Sequence, residues 1–540
     1  MKYVVVVADR IAESGYHILR AEPSFDLVST AGAPAELPAA LARAHALIVR
    51  SETTVTDAMM AAAHDLHVIA RAGTGVDNVD VHAATRRGIV VLNAPGANTV
   101  SAAEHAFALL LSLQRKIPWA VNSMREGKWD RKAFPGRELR GKTIGIVGLG
   151  RIGQHVAQIA RAFGMEILAH DPYLPEPRAR SLGAELLSID DLLPRADVVS
   201  LHLPLNEETK HLLDARRLRL LRPTAVVVNT ARGGLIDDDA LADAVASGAL
   251  AGAALDVFDP EPLPADSRLR TLEGVILTPH LAGSTTEAQD RVAREICQAV
   301  RDALLSGSIA GAVNLPGVSG KVLGRLAGVL ELARRVGCLA ASIAHGRTQA
   351  VEVAYGGADD EAPKPVMLAA VEGVLTAIGV GPVSLVNVAA LAAERGMAVS
   401  RRVGNPVAGF ETTVGVTVET TDRRTTVVGA FIGDRLGRVI RVDDFIVDIP
   451  VEGHVLVIRN RDVPGVIGRV GTILGGADIN IASYHQSRRN HEAVDVLAAI
   501  VVDNVPAPAV LTELAQLSDV LEVRIADLSG QRLPGNARTA

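Results

Sequence analysis

The chain has few aromatic residues and little cysteine. Aromatic residues make up 3% of its 540 residues and hydrophobic residues 48%, so its cores must be built mainly from Ala, Val, Leu and Ile. Such cores are typical of parallel strands covered by helices. The two thiols, Cys297 and Cys338, lie far apart in the sequence. They therefore argue against a disulfide framework or a metal site of the zinc type, and they favour a reducing cytoplasm.

Long apolar runs and an excess of positive charge are also missing. We find no stretch of 18 apolar residues and expect no membrane span. The run Val4–Val7 is too short for the core of a signal peptide and predicts a buried strand. The formal net charge of −6 gives no basic surplus for binding nucleic acid or an anionic membrane. Any phosphate-binding site must therefore be local.

The first 312 residues show the alternation of strand and helix that is typical of parallel sheets. A small α/β unit is predicted from short apolar runs, followed by a helix from about Ser101 to Leu113. A six-stranded doubly wound domain is predicted next, and a capping-box pattern at Ser284–Glu287 predicts a helix through about Ser306 that returns to the first lobe. The predicted strands are Val4–Val7, Ala46–Val49, His67–Ala70 and Ile89–Leu92, then Thr143–Val147, Glu166–Ala169, Val198–Leu203, Ala225–Asn229, Ala251–Val257 and Val275–Leu277.

The remaining residues predict two further units and a tail. Asn314–Gly317 resembles a linker. Residues 313–450 predict an α+β unit with a mixed sheet, because polar and apolar residues alternate in Glu411–Glu419, Thr425–Ile432 and Arg438–Ile449. Residues 452–528 follow the order β-α-β-β-α-β of a ferredoxin-like unit. A polar tail at 529–540 completes the chain.

A glycine-rich turn directly follows the strand Thr143–Val147. Gly148, Gly150 and Gly153 precede a helix-like stretch, and the next strand leads to Asp171 about 20 residues later. This context predicts a dinucleotide site with the pyrophosphate at the helix N-terminus. The Asp171 carboxylate would accept hydrogen bonds from the ribose and repel a 2′-phosphate, which favours NAD over NADP. A structural turn without a cofactor is the alternative.

Three polar residues follow successive predicted strands beyond this turn. Because the carboxyl ends of parallel strands open on one crevice, we expect Arg232, Glu261 and His280 to meet beside the dinucleotide. Glu261 would fix the tautomer of His280, which could then exchange a proton with a substrate hydroxyl. Arg232 could bind a carboxylate with both arms of its guanidinium. Each residue alone could be an ordinary loop or core residue, but together they predict a hydride-transfer site.

Four segments resemble the D-isomer-specific 2-hydroxyacid dehydrogenases, namely Val147–Gly153, Asn229–Gly234, Ala254–Pro262 and Thr278–His280. The resemblance covers residues 1 to about 312. It implies that NAD is the cofactor, that a Rossmann-type domain at 97–284 is inserted in a flavodoxin-like substrate-binding domain made of 1–96 and 285–312, and that Arg232, Glu261 and His280 are catalytic. The implied cofactor contacts are Gly148, Gly150, Arg151, Ile152, Gly153, Asp171, Thr209, Thr230, Asp256 and Gly283, with Asp256 binding the nicotinamide carboxamide.

Three segments of the first lobe indicate which substrate the resemblance implies. The segments Val49–Ser51, Arg71–Asp80 and Asn93–Asn98 are similar to those of family members that oxidise 3-phospho-D-glycerate to 3-phosphooxypyruvate at the entry to serine synthesis. The similarity implies that the substrate is bound by Arg50, Ser51, Gly75 and Asn98. It does not decide which cation holds the substrate phosphate, and Arg50, Arg131 and Lys132 are the candidates.

The length of the chain resembles the long form of these enzymes, in which an intervening allosteric substrate-binding domain is followed by an ACT domain. Asp462–Gly468 and Asp478–Ile481 match the ACT signature. The resemblance implies that Asp462 and Asn480 bind serine as an effector, with Asn460 at a position where relatives carry His or Tyr. It also implies a homodimer or homotetramer. The alternative is an ACT unit that serves only for oligomerisation.

Two other functions remain open. A glyoxylate, hydroxypyruvate or D-lactate reductase would use the same three side chains, although such relatives usually end near residue 330. An NAD-sensing interaction protein would keep the fold and these side chains without turnover. Oxidation of 3-phosphoglycerate is the function that the resemblance favours.

Overall fold

The computed structural model describes residues 2–307, 309, 311–315, 318, 320–381, 383–405, 407–432, 436–489 and 495–529. Their strands form four sheets. In this part of the chain no helix is long and apolar enough to cross a membrane.

The first lobe contains a parallel five-stranded sheet in the order β2-β1-β3-β4-β5. The four predicted strands are present, but β2 is not among them because its polar residues hide the pattern of an edge strand. The elements are β1 (Tyr3–Val7), α1 (Glu13–Arg20), β2 (Phe25–Ser29), α2 (Leu37–Leu41), β3 (Ala46–Val49), α3 (Asp57–Ala61), β4 (Val68–Arg71), α4 (Val81–Arg86) and β5 (Val90–Leu92).

The second lobe is a parallel, doubly wound sheet in the order β12-β11-β10-β9-β6-β7-β8. The prediction of six strands was wrong, because the short edge strand β8 adds a seventh. The elements are α5 (Thr99–Gln114), α6 (Ile117–Arg125), β6 (Thr143–Val147), α7 (Arg151–Ala162), β7 (Glu166–His170), α8 (Glu176–Ser181), β8 (Ala184–Leu186), α9 (Ile189–Leu192), β9 (Val198–Leu201), α10 (Ala215–Leu218), β10 (Val226–Asn229), α11 (Asp238–Ala246), β11 (Gly252–Leu255) and β12 (Val275–Leu277).

Helix α12 (Thr286–Ser306) returns the chain to the first lobe, as predicted. The Thr285 side chain caps it by accepting a hydrogen bond from the Ala288 amide at 3.2 Å. The helix lies against α1 at Gly15, where a Cβ atom would stand 2.9 Å from Cys297 Sγ. Only glycine therefore lets these two helices approach so closely.

The predicted linker at Asn314–Gly317 is only partly testable, because Pro316 and Gly317 lie outside the described residues. Asn314 does not behave as part of a loose linker. Its Oδ1 accepts a hydrogen bond from the Val91 amide at 3.0 Å, and its Nδ2 donates to the Ile89 carbonyl at 2.8 Å. The chain is thus fastened to β5 before it enters the third unit.

The third unit has a mixed sheet, as predicted, in the order β14-β13-β15-β16-β17-β18. Only the β13–β14 pair is parallel among the strand pairs described there. The run Arg438–Ile449 forms two strands, because the chain turns at Asp443 with φ +48°. The elements are α13 (Gly320–Arg325), α14 (Ala327–Ile343), β13 (Thr348–Gly356), α15 (Pro363–Ala377), α16 (Val388–Glu394), β14 (Ala398–Val403), β15 (Thr413–Thr420), β16 (Arg424–Ile432), β17 (Leu436–Val442) and β18 (Phe445–Pro450).

The last unit has the ferredoxin-like order that the sequence predicts. Its antiparallel sheet runs β20-β21-β19-β22. The elements are β19 (His454–Arg461), α17 (Val466–Gly476), β20 (Ile481–Arg488), β21 (Asp495–Val502), α18 (Pro508–Ala515) and β22 (Val520–Asp527). The predicted tail lies outside the described residues from 530 onward.

Candidate active site

A cavity of about 1030 Å³ opens between the first two lobes. Its walls include every residue predicted to be catalytic or to contact the substrate: Arg50, Ser51, Gly75, Asn98, Arg232, Glu261 and His280. Of the three cations considered for the substrate phosphate, only Arg50 lines this cavity. Arg131 and Lys132 are exposed in the segment after α6 and lie outside its walls.

His280 and Glu261 form a hydrogen-bonded pair. His280 Nδ1 lies 2.8 Å from Glu261 Oε2, and the Phe258 amide donates to Glu261 Oε1 at 3.0 Å. Burial would raise the pKa of the Glu261 carboxyl, but the hydrogen bonds from His280 and Phe258 outweigh it and hold this pKa below its usual range. An ionised Glu261 accepts the Nδ1 proton, which leaves Nε2 as the atom that can exchange a proton with a ligand.

The loop that carries His280 is bound to Asp256 at the end of β11. Asp256 Oδ1 accepts hydrogen bonds from Thr278 Oγ1 at 2.6 Å and from the Leu281 amide at 2.8 Å, while Oδ2 accepts one from the Ala282 amide at 2.8 Å. Asp256 is 0% exposed and is not part of the cavity wall. Its carboxylate thus holds the loop, and the contact with the nicotinamide carboxamide stays a prediction.

Arg232 reaches across the cavity from the end of β10. Asn229 braces its loop, since Nδ2 donates to the Arg232 carbonyl at 2.8 Å and Oδ1 accepts from the Ala231 amide at 3.1 Å. Arg232 Nε lies 2.9 Å from Asp77 Oδ2 in the first lobe. A Cβ atom at Gly75 would stand 2.1 Å from the terminal guanidinium nitrogen Nη2 of Arg232. Glycine at this position therefore gives the guanidinium its space.

Arg71, at the end of β4, is a cavity residue that sequence analysis missed. Its Nε is buried without a hydrogen-bond partner among the described residues. Burial lowers the pKa of Arg71, and the neighbouring guanidinium groups of Arg232 and Arg50 lower it further. The strand-end rule that indicated Arg232 could also have indicated Arg71, because this residue ends a strand of the first sheet.

Two hydrogen-bond networks hold the other first-lobe residues. The buried Asp9 carboxylate accepts from the Arg50 amide at 2.6 Å, and the Arg50 carbonyl accepts from Asn78 Nδ2 at 2.6 Å. Thr74 Oγ1 donates to Asn98 Oδ1 at 2.5 Å. These bonds fix the loop ends on which Arg50 and Asn98 stand.

The glycine-rich turn between β6 and α7 is built for close approach. Gly148 has φ +94°, and a Cβ atom there would stand 2.6 Å from the His202 carbonyl oxygen. A Cβ atom at Gly153 would stand 2.1 Å from the Gly148 carbonyl oxygen. Gly150 caps α7 without a side-chain hydrogen bond, and Arg151 beside it is exposed. The turn thus combines a tight bend with backbone N–H groups at a helix N-terminus, which is the arrangement that binds a pyrophosphate.

The other predicted cofactor contacts lie at different places in the structure. Asp171 follows β7, where its Oδ2 accepts a hydrogen bond from the Leu149 amide at 2.9 Å. Ile152, Thr230 and Gly283 line the cavity. Thr209 is outside the cavity wall and donates its hydroxyl to the Pro204 carbonyl at 2.7 Å.

His202 is a second cavity residue that the sequence did not reveal. Burial lowers its pKa to about 4, so its imidazole is neutral at physiological pH. Its Nε2 lies 2.9 Å from Ser200 Oγ. A histidine within an apolar run gives no signal of such a position.

The residues predicted to bind an effector in the last unit have separate partners. Asp462 Oδ2 lies 2.5 Å from Arg488 Nε, and Asn480 Nδ2 donates to Asp503 Oδ2 at 2.8 Å. Asn460 is 2% exposed. Its Nδ2 donates to the Arg461 carbonyl, while its buried Oδ1 has no hydrogen-bond partner among the described residues.

Three family models match separate stretches of the chain. Residues 107–282 match the NAD-binding domain of the D-isomer specific 2-hydroxyacid dehydrogenases, residues 325–443 match the D-3-phosphoglycerate dehydrogenase intervening domain, and residues 454–519 match the ACT domain. The D-3-phosphoglycerate dehydrogenase of Synechocystis sp. is 39% identical over 96% of this chain and 93% of that protein. The one from Mycobacterium tuberculosis H37Rv is 41% identical over 97% of this chain and 99% of that protein.

The chain belongs to the D-3-phosphoglycerate dehydrogenases. Membership in this family confirms the predicted fold class, the NAD-dependent dehydrogenase activity and the cofactor NAD. A solved NAD-dependent formate dehydrogenase from Staphylococcus aureus, in complex with NAD, is also similar. It superposes with a TM-score of 0.51 at 32% identity and covers 55% of this chain and 95% of its own.

Proposed function

We propose that this chain oxidises 3-phospho-D-glycerate to 3-phosphooxypyruvate with NAD, which is the first step of L-serine biosynthesis, and that it acts in the cytoplasm. The main support for this proposal is the set of side chains that line one cavity. One cavity holds the His280–Glu261 pair together with Arg50, Arg71 and Arg232. The pair provides an acid/base, and the guanidinium groups suit a substrate that carries both a carboxylate and a phosphate.

Arg232 and His280 have distinct roles in the proposed reaction. The planar guanidinium of Arg232 binds the substrate carboxylate with two hydrogen bonds and so orients C2. His280 Nε2 takes the proton of the C2 hydroxyl, and the ionised Glu261 stabilises the imidazolium that forms. Bound NAD supplies the hydride acceptor. Two lobes that enclose the cavity exclude water and align the reacting groups.

The phosphate is assigned to Arg71 and Arg50. Burial and the repulsion from neighbouring guanidinium groups disfavour the charged form of Arg71 in the free enzyme. A dianionic phosphate would relieve that repulsion and provide an acceptor for the buried Nε, which has no partner among the described residues. D-glycerate, which lacks the phosphate, would give neither cation an anionic partner.

Steady-state assays distinguish this proposal from its rivals. NADH formation should be fastest with 3-phosphoglycerate and much slower with D-lactate or D-glycerate. Faster reduction of glyoxylate or hydroxypyruvate than of 3-phosphooxypyruvate would favour a reductase. NADH binding without turnover of any hydroxy acid would favour an interaction protein.

Asp171 provides a test of cofactor choice. We expect Asp171→Ser to raise the ratio of kcat/KM for NADP to that for NAD by roughly 10–100-fold, because the carboxylate no longer repels a 2′-phosphate and no longer accepts from the ribose. Initial rates with each cofactor at saturating 3-phosphoglycerate measure this ratio. The control is Glu176→Ser, which removes an exposed acid on α8 and should leave the ratio as in the parent. An unchanged ratio in Asp171→Ser would contradict the assignment.

We propose that the ACT unit binds serine and reduces turnover. The support for this proposal is the ACT match at residues 454–519, together with the buried Asn460 Oδ1, which could accept a hydrogen bond from the ammonium group of serine.

We expect Asp462→Ala to weaken serine inhibition without changing uninhibited turnover, because the variant removes a carboxylate that would pair with the ammonium group of serine. Serine titrations of parent and variant measure this. Equal inhibition in both would exclude Asp462, and no inhibition in the parent would leave an ACT unit for assembly alone.

We propose that the enzyme is a homo-oligomer, a dimer or a tetramer. Helix α6 and the segment after it expose Ile117, Val121, Met124 and Trp129, whose relative accessibilities are 46%, 42%, 54% and 78%. Exposed apolar groups of this kind are typical of protein interfaces.

We expect Met124→Asp to lower the molar mass measured by light scattering, while Asn122→Asp on the same helix leaves this mass unchanged. An unchanged mass in Met124→Asp would contradict this surface.

A further inference from the structure

His105 connects helix α5 to the loop that carries His280. Its Nε2 lies 3.1 Å from Asp256 Oδ1 and 3.3 Å from Thr278 Oγ1. Burial would raise the pKa of Asp256, but the hydrogen bonds from His105, Thr278 and two backbone amides outweigh it and keep this pKa below its usual range. An ionised carboxylate only accepts hydrogen bonds. His105 Nε2 must therefore carry the proton and donate it to Asp256.

Asp256 in turn determines the backbone of the loop. Besides its bonds to Thr278, Leu281 and Ala282, its carbonyl accepts from the His280 amide at 2.9 Å. His280 has φ +54°, a left-handed conformation that is unfavourable for a residue with a side chain. Such a conformation persists only where the surrounding bonds impose it. The loop therefore depends on a carboxylate that is fully buried and needs all of its donors.

Helix α5 also borders the cavity and holds the far end of the same loop. It begins directly after Asn98, a cavity residue, and Ser101 Oγ lies 2.8 Å from Thr285 Oγ1. The loop 278–285 is thus attached to α5 on both sides of His280. His105 provides the attachment on the β12 side, through Asp256 and Thr278.

We propose that His105 is a positioning residue for hydride transfer: by donating to Asp256 it fixes residues 278–282 against α5 and so sets the place of His280 relative to Arg232 and Asn98. The catalytic part of this inference rests on the proposed function. The structural part does not, because the loop is held in the free enzyme.

Two variants separate the hydrogen bond from the volume of the side chain. His105→Leu fills a similar space without a donor, whereas the amide nitrogen of His105→Gln reaches about as far as the imidazole Nε2 and can donate to Asp256. Hydrogen exchange of a peptide covering residues 278–285 is measured first, without substrate. We expect exchange to be about tenfold faster in His105→Leu, which is the loss of one charge-assisted hydrogen bond, and near the parent rate in His105→Gln. Faster exchange throughout the second lobe would mean a general loss of stability and would overturn the proposal.

Turnover of 3-phosphoglycerate tests the catalytic part. We expect His105→Leu to lower kcat by about tenfold with little change in the KM for NAD. The primary isotope effect on kcat with substrate deuterated at C2 should rise, because misplacing His280 slows the chemical step. His105→Gln should recover most of the turnover. Parent-like kcat in His105→Leu, or equal losses in both variants, would overturn the proposal, whereas an inactive parent would contradict the proposed function and leave the exchange result standing.

Discussion

His280→Ala is expected to lower kcat for 3-phosphoglycerate oxidation by about 10²–10⁴-fold while NADH still binds, since this is the usual contribution of a general acid or base. The imidazole lies in the cavity with its Nδ1 bonded to Glu261 at 2.8 Å, so the variant removes the group that takes the hydroxyl proton together with this bond. The glycine-rich turn that binds the cofactor is left intact. Steady-state rates and a fluorescence titration with NADH measure the two effects separately.

A matched control for this variant is His64→Ala. His64 is exposed and does not line the cavity. Because surface substitutions usually change the free energy of unfolding little, we expect the kcat of this variant to stay close to that of the parent. Near-parent turnover in His280→Ala would remove His280 from the mechanism. Parallel losses of turnover and NADH affinity would mean that His280 serves the cofactor and not the proton.

The sequence predicts the catalytic side chains because parallel sheets place them by a simple rule. A residue that directly follows a parallel strand lies at the carboxyl edge of the sheet, where ligands bind. Arg232 and His280 follow β10 and β12 within a few residues, so their meeting could be expected without coordinates. The same rule applies to Arg71 at the end of β4. Arg71 was missed because the rule was applied only to the strands of the second sheet.

The groups that hold these side chains could not be predicted in the same way. Asp256 looks like any acid at a strand end, and only the folded backbone shows that its carboxylate is enclosed by the amides of Leu281 and Ala282. His105 is far from both in the sequence. Contacts of this kind depend on how α5 packs on the sheet, which no local periodicity encodes.

Two edge strands, β8 and β14, were not predicted from the sequence, for a related reason. Strand β8, Ala184–Leu186, has only three residues, with an exposed glutamate at its centre, so it is too short for the alternation that marks a strand to be recognised. Strand β14 is exposed along most of its length and pairs with β13 alone. Edge strands bury little, and their residues therefore carry a weak apolar pattern.

Arg232→Lys is expected to lower kcat/KM for 3-phosphoglycerate by about 10²-fold, because one point charge replaces a planar group that makes two charge-assisted hydrogen bonds, each contributing roughly 1.5–3 kcal/mol. Because the substitution leaves the net charge of the cavity unchanged, the drop in kcat/KM measures the contribution of the guanidinium's hydrogen-bond geometry. Initial rates over a range of substrate concentrations measure it, with the KM for NAD expected to stay close to that of the parent.

The control for this change is Arg195→Lys on the surface. Arg195 makes two hydrogen bonds with Glu185, at 2.9 and 2.7 Å, and neither residue lines the cavity. This control makes the same substitution in an arginine that also forms two hydrogen bonds with a carboxylate. Because exposed ion pairs contribute little to stability, we expect turnover to stay unchanged. If the loss in Arg232→Lys appeared only in the KM for NAD, the guanidinium would be a cofactor contact. Unchanged kcat/KM would mean that charge alone recruits the carboxylate, and the orienting role of the planar fork would have to be abandoned.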